Sequence, residues 1–199
     1  MSFRKEKKFR LSISDMSNLK EELFQDGMEE LHEPRFVNSC YFDNYLLSML
    51  HESEEGVLPR KKIRIRWYNK DSNFTKETKI SSIEGRYKYT EKMNQINTVN
   101  ELKKTNIYDQ SYGYLLPTLI VSYRREYYTY KDLRITMDNS IKYADMRKDI
   151  HQDYMDDESV MEIKTSIDIP DDYIEKVISQ PTSRFSKYSR GLLKADGML

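Results

Sequence analysis

The stretch PRKKIRIRWYN, Pro59 to Asn69, is where the fold declares itself. Taken in twos, Lys62, Arg64, Arg66 and Tyr68 fall on one side, and Ile63, Ile65 and Trp67 on the other. Successive strand residues point to opposite faces, so the pattern predicts a half-buried β-strand. The apolar side belongs to a core. The other side carries three cations in a row, and like charges at that spacing repel. A strand that simply faces water mixes in Thr, Glu and Gln. This face is therefore either an unusual solvated one or a face that holds an anion.

Charge along the chain bears on that choice. The 199 residues are 33% charged with a formal net charge of zero, and they suit a single domain over 1–199. A neutral balance argues against a general nucleic-acid or membrane-surface binder. The neutrality hides an uneven distribution. Between Pro59 and Lys92 eleven Lys or Arg stand against four acids, whereas 15–33 and 145–158 are acidic. Cations in strand-like sequence and acids in helix-like or loop-like sequence suggest a basic interior or cleft. The single cysteine, Cys40, excludes an internal disulfide framework, fits a reducing compartment and reads as a packed small hydrophobe. MSFRKEKKFR lacks the apolar core of a signal peptide, and no run reaches the ~20 apolar residues that span a bilayer. The most apolar stretch, YLLPTLIVSY, is short and contains Pro117. A cytoplasmic protein without direct membrane insertion is expected.

Other segments repeat the strand pattern. In FRKEKKFRLS, Phe3 to Ser12, Glu6, Lys8 and Arg10 share one face and Phe9 and Leu11 the other. RFVNSCYFD, FTKETKI, GRYKYTEKM, TLIVSYRREYY, LRITMD and VMEIKTSI are short and rich in β-branched or aromatic residues. Helices are predicted over SDMSNLKEELFQDG, capped by Ser14 or Asp15 and stopped by Gly27, over DNYLLSMLHE, started by Asp43 or Asn44, over NTVNELKKTN and over PDDYIEKVIS. The tail SRFSKYSRGLL is helical or extended and ends near Gly191, and 145–159 is expected to be the least ordered segment. The sum is an α+β fold: an antiparallel β-barrel of about eight strands forming a basic tunnel, with flanking helices.

Charged strand faces recur as Glu6/Lys8/Arg10, Lys62/Arg64/Arg66, Glu77/Lys79, Arg86/Lys88, Arg125, Arg134 and Glu162/Lys164. One reading turns them all to water. The other gives them a shared interior, which needs a partner because buried cations are costly alone. A multivalent phosphate supplies it, with Arg as a planar fork and Lys as a point charge.

The motifs EKKFRL, YFDN, RIRWY, KETK, SYRREYY, LRITMD, MEIK and SKYSRG occur in this order. In that order the chain resembles the vacuolar transporter chaperone (VTC) domain, the polyphosphate polymerase branch of the triphosphate tunnel metalloenzymes, or CYTH-like superfamily. The resemblance implies a tunnel with basic walls that binds ATP, triphosphate or polyphosphate with Mn²⁺ or Mg²⁺. It implies phosphate-binding roles for Lys8, Arg64, Arg66, Lys79, Lys88, Arg125, Arg134 and Lys187, with Arg124 as the near miss for Arg125. It implies that Glu162 is the metal ligand. Arg64, Arg66, Arg125, Arg134 and Lys187 form the expected catalytic set; the arginines clamp nucleotide phosphates while Lys8, Lys79, Lys88 and Lys187 guide an acceptor chain. The first strand departs from the superfamily's E-x-E-x-K, retaining Glu6 and Lys8, which tilts the site toward holding phosphate. A membrane-protein partner is left open.

Residues outside that set read blandly. His32, His51 and His151 have no ligand spacing, Trp67 and most tyrosines are shell, and Tyr68 shares the face of Arg64 and Arg66. YFDN is structural, with Asp43 capping a helix; Asp138 and Glu77 are ion-pair or metal candidates of second rank. Three functions stay open: a polyphosphate polymerase-like phosphotransferase, a tripolyphosphate or nucleoside triphosphate hydrolase, and a non-catalytic polyphosphate-binding module.

Overall fold

The computed structural model describes residues 4–148 and 152–199. Phe3, at the start of the first expected strand, and His151, expected at the surface, lie outside the described residues. The elements run β1 (Arg4–Ser12), α1 (Ile13–Gln25), β2 (Glu29–Asp43), α2 (Ser48–Glu55), β3 (Arg60–Tyr68), β4 (Thr75–Ser82), β5 (Gly85–Lys92), α3 (Val99–Leu102), β6 (Ile107–Asp109), β7 (Gly113–Tyr130), β8 (Leu133–Asp145), β9 (Asp153–Met155), β10 (Glu158–Ser166), α4 (Asp171–Val177) and α5 (Lys187–Ala195). The strand order is β1-β10-β8-β7-β2-β3-β4-β5, with β6 on β7 and β9 on β8. The registers of β1 on β10, β10 on β8, β2 on β3, β3 on β4, β4 on β5, β6 on β7 and β9 on β8 are antiparallel. This is the α+β, eight-strand antiparallel class that the alternation predicts, plus two three-residue strands it does not. Among the described residues no helix is long and apolar enough to cross a membrane.

The chain divides into two compact units, and β2, β7 and β8 each run through both. The first comprises Met1–Arg35, Tyr123–Ile141 and Asp156–Phe185. Its core takes Phe9 and Leu11 from β1, Tyr128 and Tyr130 from β7, Leu133, Ile135 and Met137 from β8, and Met161 and Ile163 from β10. Helix α1 covers this core because Met16, Leu19 and Leu23 recur at helical spacing. Its cap is Ser12, whose hydroxyl accepts from the Asp15 N–H at 3.0 Å, rather than Ser14 or Asp15. Phe24, one residue beyond Leu23, is 38% exposed and meets the Tyr128 ring edge-on.

The second unit comprises Phe36–Ser122, Lys142–Met155 and Ser186–Leu199. Ile63, Ile65 and Trp67 join Cys40, Phe42, Phe74, Leu102, Ile107 and Leu115 in its core. Burial of each such side chain is worth about 1.5–3 kcal/mol, which fixes the phase of β3 and sends Lys62, Arg64 and Arg66 to the opposite face. Helix α2 begins at Leu47, whose left-handed backbone has no capping side chain. Asp43 does that work from a distance, accepting the N–H groups of Met49 at 3.1 Å and Leu50 at 3.0 Å, as its place in YFDN suggests. Gly191 does not end α5 but lies within it. A Cβ there would stand 2.5 Å from Leu119 and from Tyr143, so only glycine lets the helix approach that closely. The segment expected to be least ordered is structured where described: Asp145 and Asp196 grip Arg147, and β9 pairs with β8.

Candidate functional site

Each unit carries one charged sheet face, and the strand registers set out its rows. In the second unit the face is shared by β2, β3, β4 and β5. One row aligns Tyr41, Arg64, Glu77 and Thr90; the next aligns Ser39, Arg66, Thr75 and Lys92. A third places Lys62, Lys79 and Lys88 directly opposite one another. With Arg60 and Arg86, strands β3 to β5 present eight basic residues on this face against one carboxylate, Glu77. Directly opposed like charges weaken a sheet, so the arrangement has a cost that folding alone does not explain.

Glu77 is the hub of the face. It is 4% exposed and accepts Arg64 at 2.8 and 2.6 Å, Arg66 at 3.4 Å and Lys88 at 2.5 Å. Burial pushes its carboxyl up, but Arg64, Arg66 and Lys88 outweigh burial and bring it down to about 2. Arg66 is held more loosely than Arg64: its buried Nε has no hydrogen-bond partner among the described residues. Lys62 donates to Ser186 at the start of α5, next to Lys187, and Tyr68 lies beneath Arg66 at the strand end. Lys79 and Lys88 are exposed.

The first unit's face is built differently. Lys8 of β1 stands opposite Glu162 of β10, which stands opposite Thr136 of β8; Glu6, Lys164 and Arg134 form the adjoining row. Lys164 bridges the two acids, 3.0 Å from Glu162 and 3.5 Å from Glu6. Burial raises the Glu162 carboxyl, and Lys164, Lys8 and Arg125 overcome it, leaving it at about 2. Lys8 donates to the Phe185 carbonyl at 2.9 Å. Arg125 makes a bidentate pair with fully buried Asp138 at 2.6 and 2.7 Å. Arg124 turns to the other side of β7 and pairs with Glu126, which α1 reaches through Lys20, so the two arginines are separated by strand parity. Arg134 is exposed and lines a cavity of about 340 Å³ with Lys131, Lys164 and Thr165. Here cations and acids alternate and pair.

The structure thus gathers Lys8, Arg125, Arg134 and Glu162 on the first face, and Arg64, Arg66, Lys79 and Lys88 on the second, with Lys187 at the head of α5 in the second unit. Glu77 and Asp138 are ion-pair residues. Among the described residues no cluster of three His, Cys, Asp or Glu could hold a metal. The donor set fits a divalent cation only in the mode where one or two carboxylates, here Glu162 with Glu6 nearby, are completed by substrate phosphates. Tyr41 and Thr136 join the faces through cross-strand register, which alternation does not reveal, whereas Lys62 stands where alternation places it, beside Arg64 and Arg66. Cys40 is buried in the apolar core, and His32 and His51 are exposed, as their sequence settings suggest.

The two depressed carboxyls make acid stability a test of the rows. A carboxylate with a lowered folded pKa stabilises the fold above its unfolded value, about 4.3, and loses that contribution as pH falls through the folded value. Melting temperature is therefore expected to drop between about pH 4.3 and pH 2. Glu77→Gln should flatten part of that drop in a melting series against pH; a parallel curve would show that Glu77 is not held as described.

Residues 3–195 match the family model described as VTC domain. No curated protein matches the chain by sequence. Among solved structures, a proposed adenylate cyclase from Bacillus halodurans superposes with a TM-score of 0.59 at 14% identity, covering 93% of this chain and 94% of its own. A proposed adenylyl cyclase from Hippeastrum, described as having a dominant triphosphatase activity, gives 0.57 at 18%, covering 99% and 97%. A Pyrococcus horikoshii protein, PH1819, gives 0.55 at 17%, covering 96% and 99%. At these identities the likeness is one of fold. With the family match spanning nearly every residue, the protein belongs to the VTC domain family.

Proposed function

We propose that the protein binds ATP and polyphosphate through its two charged faces and extends the polyphosphate chain by phosphoryl transfer. The observation that carries this reading is the face of β3 to β5, with eight basic residues, one carboxylate and a row of three opposed lysines. A chain of phosphates, each bearing charge, offsets that repulsion along its whole length; a single carboxylate ligand does not. Arg64 and Arg66 supply the forked donors and Lys62, Lys79 and Lys88 the point charges. The family's known chemistry supports the transfer step.

Phosphoryl transfer requires mainly positioning and charge neutralisation. On the first face Arg125, Arg134 and Lys8 would act on phosphates beside Glu162; on the second, Lys187 would join the cations that hold a phosphate chain. Glu162 would hold Mn²⁺ or Mg²⁺ arriving with the nucleotide, and the ion would supply neutralisation of phosphate charge. The acceptor is already an anion, so no side chain has to deprotonate it. Hydrolysis on the same fold is the second reading, favoured by the triphosphatase activity ascribed to the Hippeastrum protein. The test is to incubate the protein with ATP and either metal and resolve products by chain length. Extension gives ADP and chains of more than two phosphates; hydrolysis gives orthophosphate and no longer chains; a binding module gives neither.

A further inference from the structure

Tyr41 is a phenol built into the cationic face. It stands opposite Arg64 in the β2–β3 register, and its oxygen accepts from an Arg64 Nη at 3.1 Å. The same guanidinium holds Glu77 through its other nitrogens, so Arg64 is shared between a carboxylate and a phenol. The ring is 9% exposed and stacks on Tyr188 of α5, centroids 4.9 Å apart and planes 18° from parallel. Tyr188 spends its own hydroxyl on Asp43, at 2.8 Å, and Asp43 in turn caps α2. Neither Tyr188 nor Asp43 is therefore placed to exchange protons with the face. The groups that set the field at Tyr41 are Lys62, Arg64 and Arg66 from β3 and Lys79 from β4, opposed by Glu77, which Lys88 of β5 also holds. On the α5 side stands the neutral Tyr188.

We propose that Tyr41 is the proton-exchanging member of this site: when a phosphate chain occupies Lys62, Arg64, Arg66 and Lys79, the Tyr41 oxygen takes a proton from solvent, so anion and proton bind together. The inference rests on the phosphate-binding reading above. Its physical basis is Coulombic. Cations around a phenol favour the phenolate, and a polyanion that neutralises them removes that support and adds repulsion. Burial pushes the ligand-free phenol up, but Arg64, Lys62, Arg66 and Lys79 outweigh it and bring it down to about 7. A ligand-free site near neutrality is then partly self-neutralised by its own phenolate, which occupancy by phosphate reverses.

The experiment uses the full chain and inorganic tripolyphosphate. Tyrosinate absorbance is followed from about pH 6 to about pH 9, below the ordinary tyrosine range of about 10, with and without the probe, in wild type and Tyr41→Phe. Calorimetric affinities are measured over the same range. The expected result is one tyrosine titrating near neutrality in ligand-free wild type, absent from Tyr41→Phe and suppressed by tripolyphosphate. Wild-type affinity should fall by about tenfold per pH unit above the phenol's pKa relative to Tyr41→Phe, the slope of one linked proton. Tyr41→Phe keeps the ring that stacks on Tyr188; if it nevertheless fails to fold, the wild-type absorbance with and without probe decides alone. Binding without any tyrosinate signal, or equal pH dependence in both proteins, overturns the role of Tyr41 and leaves the phosphate reading standing. Absence of binding heat at every pH overturns the phosphate reading and this inference with it.

Discussion

Arg64→Ala should destabilise the ligand-free protein by about 3 kcal/mol, the scale on which removing one partner from a buried ion pair acts. From the charged strand alone the opposite is expected, since deleting a cation from a row of cations relieves repulsion. The structure reverses the sign. Arg64 contributes the two closest guanidinium contacts to Glu77, a carboxylate only 4% exposed. Arg66 at 3.4 Å and Lys88 at the rim remain, which keeps the loss at the lower end of that scale. Glu77→Gln in the Arg64→Ala background should restore most of the stability, because the stranded charge is then gone. Denaturant melts of the two single variants and the double variant form the cycle that measures the coupling. Additive losses would mean that Arg64 and Glu77 do not depend on each other.

Glu162→Gln carries the second large effect. The substitution keeps the shape of the side chain and removes one negative charge between Lys8 and Lys164. If Glu162 holds the metal that accompanies the nucleotide, metal-dependent turnover should fall by on the order of a hundredfold or more. Binding of tripolyphosphate without metal should survive or tighten, since the cations do that work and a like charge has left. Product analysis with Mn²⁺ and with Mg²⁺, beside metal-free titration of the same variant, separates the two. Unchanged turnover would remove Glu162 from the metal's shell.

The parts legible in sequence were those written in alternation. Ile63, Ile65 and Trp67 set the phase of β3, and Phe9 and Leu11 that of β1, because side-chain burial decides which face turns inward. The parts that were not legible lack such a pattern. The first half of β2, through Pro34, is mostly exposed and carries no alternation, and β7 begins before Pro117, where no alternation marks it. Three hydroxyl or carboxylate residues near the start of α1 compete as caps, and only backbone geometry selects Ser12. Gly191 has the look of a helix stop, yet the reason for it is the nearness of Leu119 and Tyr143, which are far away in sequence. At the site the cations announced themselves, and Glu77 and Asp138 stood out as ion-pair or metal candidates, but which cations they serve did not. That Glu77 is an ion-pair hub, that Asp138 belongs to Arg125, and that Tyr41 faces Arg64 are facts of cross-strand register. The division into two compact units was equally hidden, because three strands run through both.

The row of Lys62, Lys79 and Lys88 is the most direct handle on the central claim that the basic face holds a phosphate chain. Inorganic tripolyphosphate is titrated calorimetrically into wild type and Lys62→Ala/Lys79→Ala at neutral pH and fixed ionic strength. Wild type should bind, and the double variant should bind at least tenfold more weakly, the effect of about 1.4 kcal/mol, with a melt of each protein to establish that it is folded. Failure of wild type to bind, or equal affinity in the double variant, would contradict the account.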